Sequence, residues 1–266
     1  MNQSPIISII IPAYNAASYI RLTLDSAINQ TFKDFEVLVI NDCSADNTAT
    51  IVESYCVTDK RVKLINLSNN KGAPAGPRNI GVREAKGRWI AFLDADDIWH
   101  PQKLERQIDL LNLTGARFCS TQMINFIDEK ELKLIDAKPD DFAWISFNQQ
   151  LIKNRTPTSS VVVDKALMEK FPFNEDMKYK AREDLDCWLH CHEEIEKSVK
   201  ILQPMMGYRI IDGQISGKKW VMVKRHFYVL RKYRFRSGRE LGLGAIIFTM
   251  THFFISVYFR FIKKGL

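Results

Sequence analysis

Three acids crowd one short stretch of this 266-residue chain, Trp89-Ile-Ala-Phe-Leu-Asp94-Ala95-Asp96-Asp97. Carboxylates two residues apart, leaving the end of a buried strand, can offer oxygen ligands to a hard divalent cation that also holds a diphosphate. Acids that merely fill a loop are the alternative, but three so close repel one another, and a cation relieves that cost. Asp42 could accept hydrogen bonds from a nucleobase or ribose, or simply form a turn or cap a helix. Lys71-Gly72 and Arg78-Asn79 supply cations and pliant backbone suited to phosphate or to bracing the acids; a solvated lysine and a structural arginine compete with that reading. Cys187, His190 and Cys191, with His192 beside them, fall at helical spacing that superficially suggests zinc. A closed zinc site needs four ligands and no second paired cluster exists, so buried helix-face cysteines are expected instead.

The elements that must position these groups read as strand and helix in alternation, the pattern of a parallel sheet with crossover helices. Strands are expected at Ile6–Ile11, Phe35–Ile40, Val62–Leu67 and Trp89–Leu93. Between them lie a helix capped by Ser18 and running to about Gln30, a second that Asp46 can cap, and a third over Pro77–Lys86 stopped by Gly87. Pro101–Leu113 reads as helix, Arg117–Phe126 and Ser159–Val163 as strands, and 128–158 as irregular. In open α/β sheets, ligands bind beyond the carboxyl ends of the strands. Those ends are Pro12-Ala13-Tyr14-Asn15, Asn41-Asp42-Cys43-Ser44, Asn69-Asn70-Lys71-Gly72 and Asp94–Asp97.

Taken together, Ile6-Ser-Ile-Ile-Ile-Pro-Ala-Tyr-Asn15, Val39-Ile-Asn-Asp42-Cys-Ser44-Ala-Asp46, Asn70-Lys-Gly72 through Arg78-Asn79-Ile-Gly81, Ala85-Lys-Gly87 and Phe92–Asp97 resemble the nucleotide-binding half of family 2 glycosyltransferases with a GT-A fold. The resemblance implies a nucleotide-sugar donor held by Pro12, Ala13, Tyr14, Asn15, Asp42, Lys71, Arg78, Asp94, Ala95 and Asp96. It puts Asp42 near the base, Asp94 near the ribose and sugar, and Mn²⁺ or Mg²⁺ on Asp96. Cys43 stands where the family usually has glycine. Downstream, Lys180-Ala-Arg-Glu183-Asp184-Leu-Asp186-Cys-Trp188 is similar to the family's acceptor-side acidic motif. That likeness makes Asp184 the general base, with Glu183 beside it. Inverting transfer needs one carboxylate to take the acceptor's hydroxyl proton; without the upstream motif, the pair could only suit a helix N-terminus. Tyr208 to Ser216, with Lys218-Lys219, resembles the segment before the C-terminal helices of bacterial polysaccharide enzymes, where Arg209 or Lys218 could close over the diphosphate or only begin a basic face.

Charge is unevenly placed. Residues 1–212 hold 26 Lys and Arg against 30 Asp and Glu, whereas 213–266 hold 12 against one, Glu240. Such a tail meets something anionic. Leu241–Phe259 has no formal charge over nineteen residues, yet Thr249, His252, Ser256, Arg260 and Lys263 recur at helical steps as one polar stripe. Basic clusters flank both ends, so a helix lying in the interface of an anionic membrane fits better than a span. The aromatic, basic tail could also bind nucleic acid, but no nucleic-acid module precedes it. Five scattered cysteines and an N-terminus without secretory features indicate a reducing cytosol.

The expected architecture is therefore an α/β GT-A domain over 1–212, with a nucleotide-sugar half (1–113) and an acceptor half (114–212). A basic amphipathic helical segment follows over 213–266. The expected activity is inverting transfer from a nucleotide sugar, a UDP-sugar first, to a lipid-linked oligosaccharide on the inner face of a bacterial membrane, with no nucleic-acid partner. The alternatives are transfer directly to polyprenyl phosphate, and a nucleotide- or lipid-binding module without catalysis.

Overall fold

The computed structural model describes residues 4–132, 141–211 and 219–261. The β-branched run Ile7–Ala13 forms β1, and Phe35–Asn41 (β2), Val62–Asn66 (β3) and Trp89–Phe92 (β4) lie parallel to it in the order β3-β2-β1-β4. Side chains alternate across a strand, so β1 feeds two cores. Ile7, Ile9 and Ile11 face helices α1 (Ile20–Ile28), α2 (Thr48–Thr58) and α4 (Lys103–Thr114), while Ile10 faces α3 (Ala75–Glu84) on the other side. Both faces being covered explains why these strands are apolar throughout.

The same sheet continues into the acceptor half. The short strand β5 (Ile98–Trp99) follows the acidic turn, and β6 (Phe118–Phe126), β7 (Phe142–Ser146), β8 (Val162–Asp164) and β9 (Lys197–Arg209) complete the order β4-β8-β6-β9-β5, with β7 also on β9. β8 runs antiparallel to β4, so the sheet is mixed. Helices α5 (Phe147–Ile152), α6 (Lys165–Lys170) and α7 (Glu183–Ile195) complete this half. Trp188 of α7 is fully buried against Phe92, Phe118 and Phe173.

Helices α8 (Lys219–Lys232) and α9 (Gly244–Phe261) are not a loose appendage. Val229, Leu230, Tyr233 and Ala245 form a third core with Leu151 of α5, Tyr179, and Leu185 and Leu189 of α7. Among the described residues no helix is long and apolar enough to cross a membrane.

Several local expectations are corrected. Tyr19, not Ser18, occupies the cap position of α1, without a side-chain cap bond. Gly87 does not stop α3, which already ends at Ala85 in extended backbone. Its role is close approach: a Cβ there would lie 2.6 Å from the Ser8 amide nitrogen of β1. Ser159 lies in a buried 3₁₀ turn, Thr158–Ser160, rather than in the strand that follows. The stretch read as irregular contains β7 and α5, the latter closed by a Ser146/Gln149 capping box. The polar stripe of α9 faces inward where it is described: Thr249 is buried and His252 stacks on His226 of α8 at 4.2 Å.

Candidate active site

The first two strand-end loops are laced together. Asn15 adopts a left-handed φ of +49°, its amide donates to Ser44 Oγ at 3.0 Å, and its Oδ1 accepts from the Ala45 amide at 2.8 Å. Asp46 accepts from the amides of Ala17 and Thr48, so it ties the loops besides serving α2. Cys43 sits at φ +61°, the conformation the family glycine would supply.

These loops and the acidic turn border a cavity of about 310 Å³ lined by Pro12, Tyr14, Asn15, Tyr19, Arg78, Asp94, Ala95 and Asp96, among others. A second cavity of about 550 Å³ shares Pro74, Arg78, Asp94 and Asp96 with it, and adds Ser159, Arg182, Glu183, Asp184, Tyr208 and Met222. Acids ninety residues apart in sequence thus meet around one space. Arg78 joins the two groups: almost wholly buried, it holds Asp94 at 2.6 Å and Glu183 at 3.0 Å. Burial opposes its charge, but the two carboxylates outweigh it and its pKa moves up.

The carboxylates differ in what they can do. Asp97 is fully buried and accepts from the Arg209 amide at 3.1 Å. Burial, then the charges of Asp96 and Asp94, push its pKa well up. Glu183 is committed to Arg78, and burial raises its pKa despite that cation. Asp184, in the first turn of α7, is only half-buried; Asn154 Nδ2 donates to one of its oxygens at 2.8 Å and the Leu185 amide to the other. These bonds orient the carboxylate toward a role that Glu183, spent on its ion pair, is poorly placed to fill.

Other expected binding residues sit behind the cavities. Ala13 is buried and contributes its carbonyl to the Asp42 amide. Asp42 lines neither cavity; its carboxylate accepts from the Lys71 amide at 2.8 Å, fixing the loop after β3, and burial raises its pKa. The Lys71 side chain also lines neither. Arg209 does not hang over the site as a lid: it is buried beneath the acidic turn, its Nε on the Asp96 carbonyl at 3.0 Å and its guanidinium on Glu129 at 3.1 Å. Lys218 lies outside the described residues.

Sequence reasoning passed over Arg182, Asn154, Ser159, Tyr19 and Met222. Arg182 stands inside a motif whose acids drew attention first. Ser159 donates no motif signal at all, yet its Oγ accepts from the Asp94 amide at 3.0 Å. Ala181 carries the signal least visible in sequence, a left-handed φ of +63° just before the acid pair.

For a divalent cation, one or two protein carboxylates suffice when diphosphate oxygens and water fill the other positions. Asp94 and Asp96 fit that requirement. Among the described residues no three His, Cys, Asp or Glu groups gather into a site that would hold an ion unaided. The Cys187/Cys191 helix face is core: both thiols are buried, and His192 bridges the Trp188 carbonyl and Ser198.

The profile of Glycosyl transferase family 2 matches residues 8–176, which is more than half of the chain. The chain belongs to glycosyl transferase family 2. As a family 2 protein it is 29% identical, over 87% of its length and 89% of the relative's, to TuaG of Bacillus subtilis (strain 168), named for teichuronic acid biosynthesis. It is 34% identical over 85% of both chains to WfgD of Escherichia coli, a UDP-Glc:alpha-D-GlcNAc-diphosphoundecaprenol beta-1,3-glucosyltransferase. S. aureus TarS (residues 1–349) in complex with UDP-GlcNAc superposes with a TM-score of 0.70 at 21% identity, covering 96% of this chain and 73% of that one. The fold is thus the GT-A fold of family 2 enzymes, a mixed α/β sheet flanked by helices. The chain is a glycosyltransferase by family.

Proposed function

We propose that the chain transfers a sugar, with inversion, from a nucleoside diphosphate donor to a hydroxyl of a saccharide carried on a polyprenyl diphosphate, in the synthesis of a bacterial surface polysaccharide. One observation carries the reading: Asp94 and Asp96 line the same cavity as Asp184, with Arg78 fixed between them. A UDP-sugar is the favoured donor, in keeping with the UDP-Glc of WfgD and the UDP-GlcNAc bound by TarS.

In this scheme the nucleoside occupies the cavity beside Tyr14 and Asn15, and the sugar projects past Asp94 into the larger one. Asp96, with Asp94, would hold Mn²⁺ or Mg²⁺, which when bound offsets charge on the departing diphosphate. Asp184 takes the proton of the acceptor hydroxyl as that oxygen attacks from the face opposite the leaving group, so a single displacement inverts the anomeric centre. Its two hydrogen bonds leave lone pairs for that proton while holding the carboxylate in line. Arg78 pairs with both Asp94 and Glu183, and so sets the spacing between donor and acceptor subsites. The developing oxocarbenium charge is stabilised by the surrounding carboxylates.

The outer face of α9 supports work at the inner leaflet of the cell membrane. Leu243, Ile246, Ile247, Met250 and Phe254 are exposed there, with Trp220 of α8 at 74% exposure, in a segment rich in Lys and Arg. An apolar strip rimmed by cations suits an anionic lipid surface.

The test is a screen of nucleotide sugars for acceptor-dependent release of nucleoside diphosphate with Mn²⁺ or Mg²⁺. Turnover with at least one donor is expected. Asp184→Asn should lower it about 10²- to 10⁴-fold and Asp96→Ala should abolish the cation's effect. An Asp184→Asn enzyme of undiminished rate would overturn the base assignment.

A further inference from the structure

Arg182 is the one cation of the larger cavity that the chemistry above does not use. It is partly buried, lies two residues before Asp184, and makes no ion pair among the described residues; its Nε is buried without a hydrogen-bond partner. Glu183, next in sequence, turns its carboxylate to Arg78 instead. A guanidinium nitrogen shut off from water without a hydrogen-bond partner is costly. Burial holds the Arg182 pKa below its ordinary value, although the charges of Asp184 and Glu183 act in the opposite direction.

Behind Arg182 stand His226 of α8 and His252 of α9, stacked at 4.2 Å, with both ring nitrogens of the fully buried His226 unpartnered. Burial first, and then charges including that of Arg182, push His226 down to about 2 and His252 down to about 4, so both rings are neutral. The helices that carry the two imidazoles are those that present the apolar face outward, and Arg225 of α8 donates to the Lys180 carbonyl at 2.9 Å, pinning α8 to the segment that holds Arg182.

We propose that Arg182, backed by His226 and His252, binds the diphosphate of the lipid-linked acceptor beside Asp184. The proposal rests on the acceptor class argued above. Arg182 lines the larger cavity beside Asp184 and does not line the nucleoside cavity, whereas Asp96 borders both. The lipid then leaves along α8 and α9 toward the membrane. Arg rather than Lys suits this task because its planar fork meets phosphate oxygens in pairs.

Two measurements on the full chain test this. In the first, geranyl diphosphate and UDP are titrated separately into wild type, Arg182→Gln and Arg182→Lys, with melting curves to establish that each variant is folded. Arg182→Gln should bind geranyl diphosphate at least tenfold more weakly and UDP unchanged, with Arg182→Lys in between. Equal loss for both ligands, or loss for UDP alone, would place Arg182 on the donor and overturn the proposal, as would unchanged binding of geranyl diphosphate. In the second, transfer is compared between a monosaccharide on a prenyl diphosphate and the alkyl glycoside of the same sugar. Wild type should prefer the diphosphate, and Arg182→Gln should lose at least tenfold of that preference through the acceptor KM, with the donor KM unmoved. Binding of geranyl diphosphate through Arg182 without turnover of any donor would sink the proposed function while leaving this site standing; turnover with a flat geranyl diphosphate titration would do the reverse.

Discussion

Cys43 is exposed and held at φ +61°, a conformation that costs an L-residue roughly 1–2 kcal/mol. Glycine escapes that strain but gains freedom in the unfolded chain, worth about 0.4–1 kcal/mol the other way. Cys43→Gly should therefore stabilise the protein by up to about 1 kcal/mol, read as a higher urea midpoint at unchanged slope. Arg78 is a harder case. Removing it strands Asp94 and Glu183 together, and breaking a buried pair by deleting one partner costs roughly 3–5 kcal/mol. Arg78→Met should lower both stability and turnover, whereas Glu183→Gln should mainly lower turnover, because a neutral amide still accepts a hydrogen bond from Arg78.

At the scale of elements, α7 carries a buried acid whose burial alone pushes its pKa up to about 7, Asp186, with His190 at 3.9 Å. The folded state keeps this proton where the unfolded state, near pKa 3.9, has released it. The contribution of Asp186 to stability thus falls as pH rises from about 4 to about 7 and is constant above. Asp186→Asn should match wild type near pH 4 and be more stable at pH 8, so urea midpoints across that range should flatten. Strand β1 and the Gly87 turn offer a steric counterpart. A methyl group there meets the β1 backbone, which cannot swing aside as a side chain does, so Gly87→Ala should destabilise by about 1–3 kcal/mol or more.

At the scale of the molecule, helices α8 and α9 join the catalytic body to the proposed lipid surface. Ile247 and Phe254 are exposed and lie outside all three cores. Replacing both with Glu should reduce sedimentation with anionic vesicles at least about fivefold, without altering the melting temperature or turnover of a soluble acceptor. Vesicle binding that survives the double variant would direct attention away from this face.

Much of this was written in the residue order. The parallel strands, the acidic turn at Asp94–Asp97 and the acid pair at Glu183-Asp184 follow from apolar periodicity and local motifs, because a strand buried on both faces and the loop at its end are both encoded within a few neighbours. What the order of residues could not supply is partnership across long separations. It offered Arg209 as a lid, where packing uses it to brace the acidic turn, and it did not show that Asp42 also holds the loop after β3. It marked a polar stripe on α9 but not which way the stripe turns, since a helix's solvent face is chosen only when another helix covers the opposite one. The union of Asp94 with Glu183 through Arg78, and the unsatisfied Nε of Arg182, belong to tertiary structure alone: burial removes water as the competing partner, and only then does it matter which charges face one another.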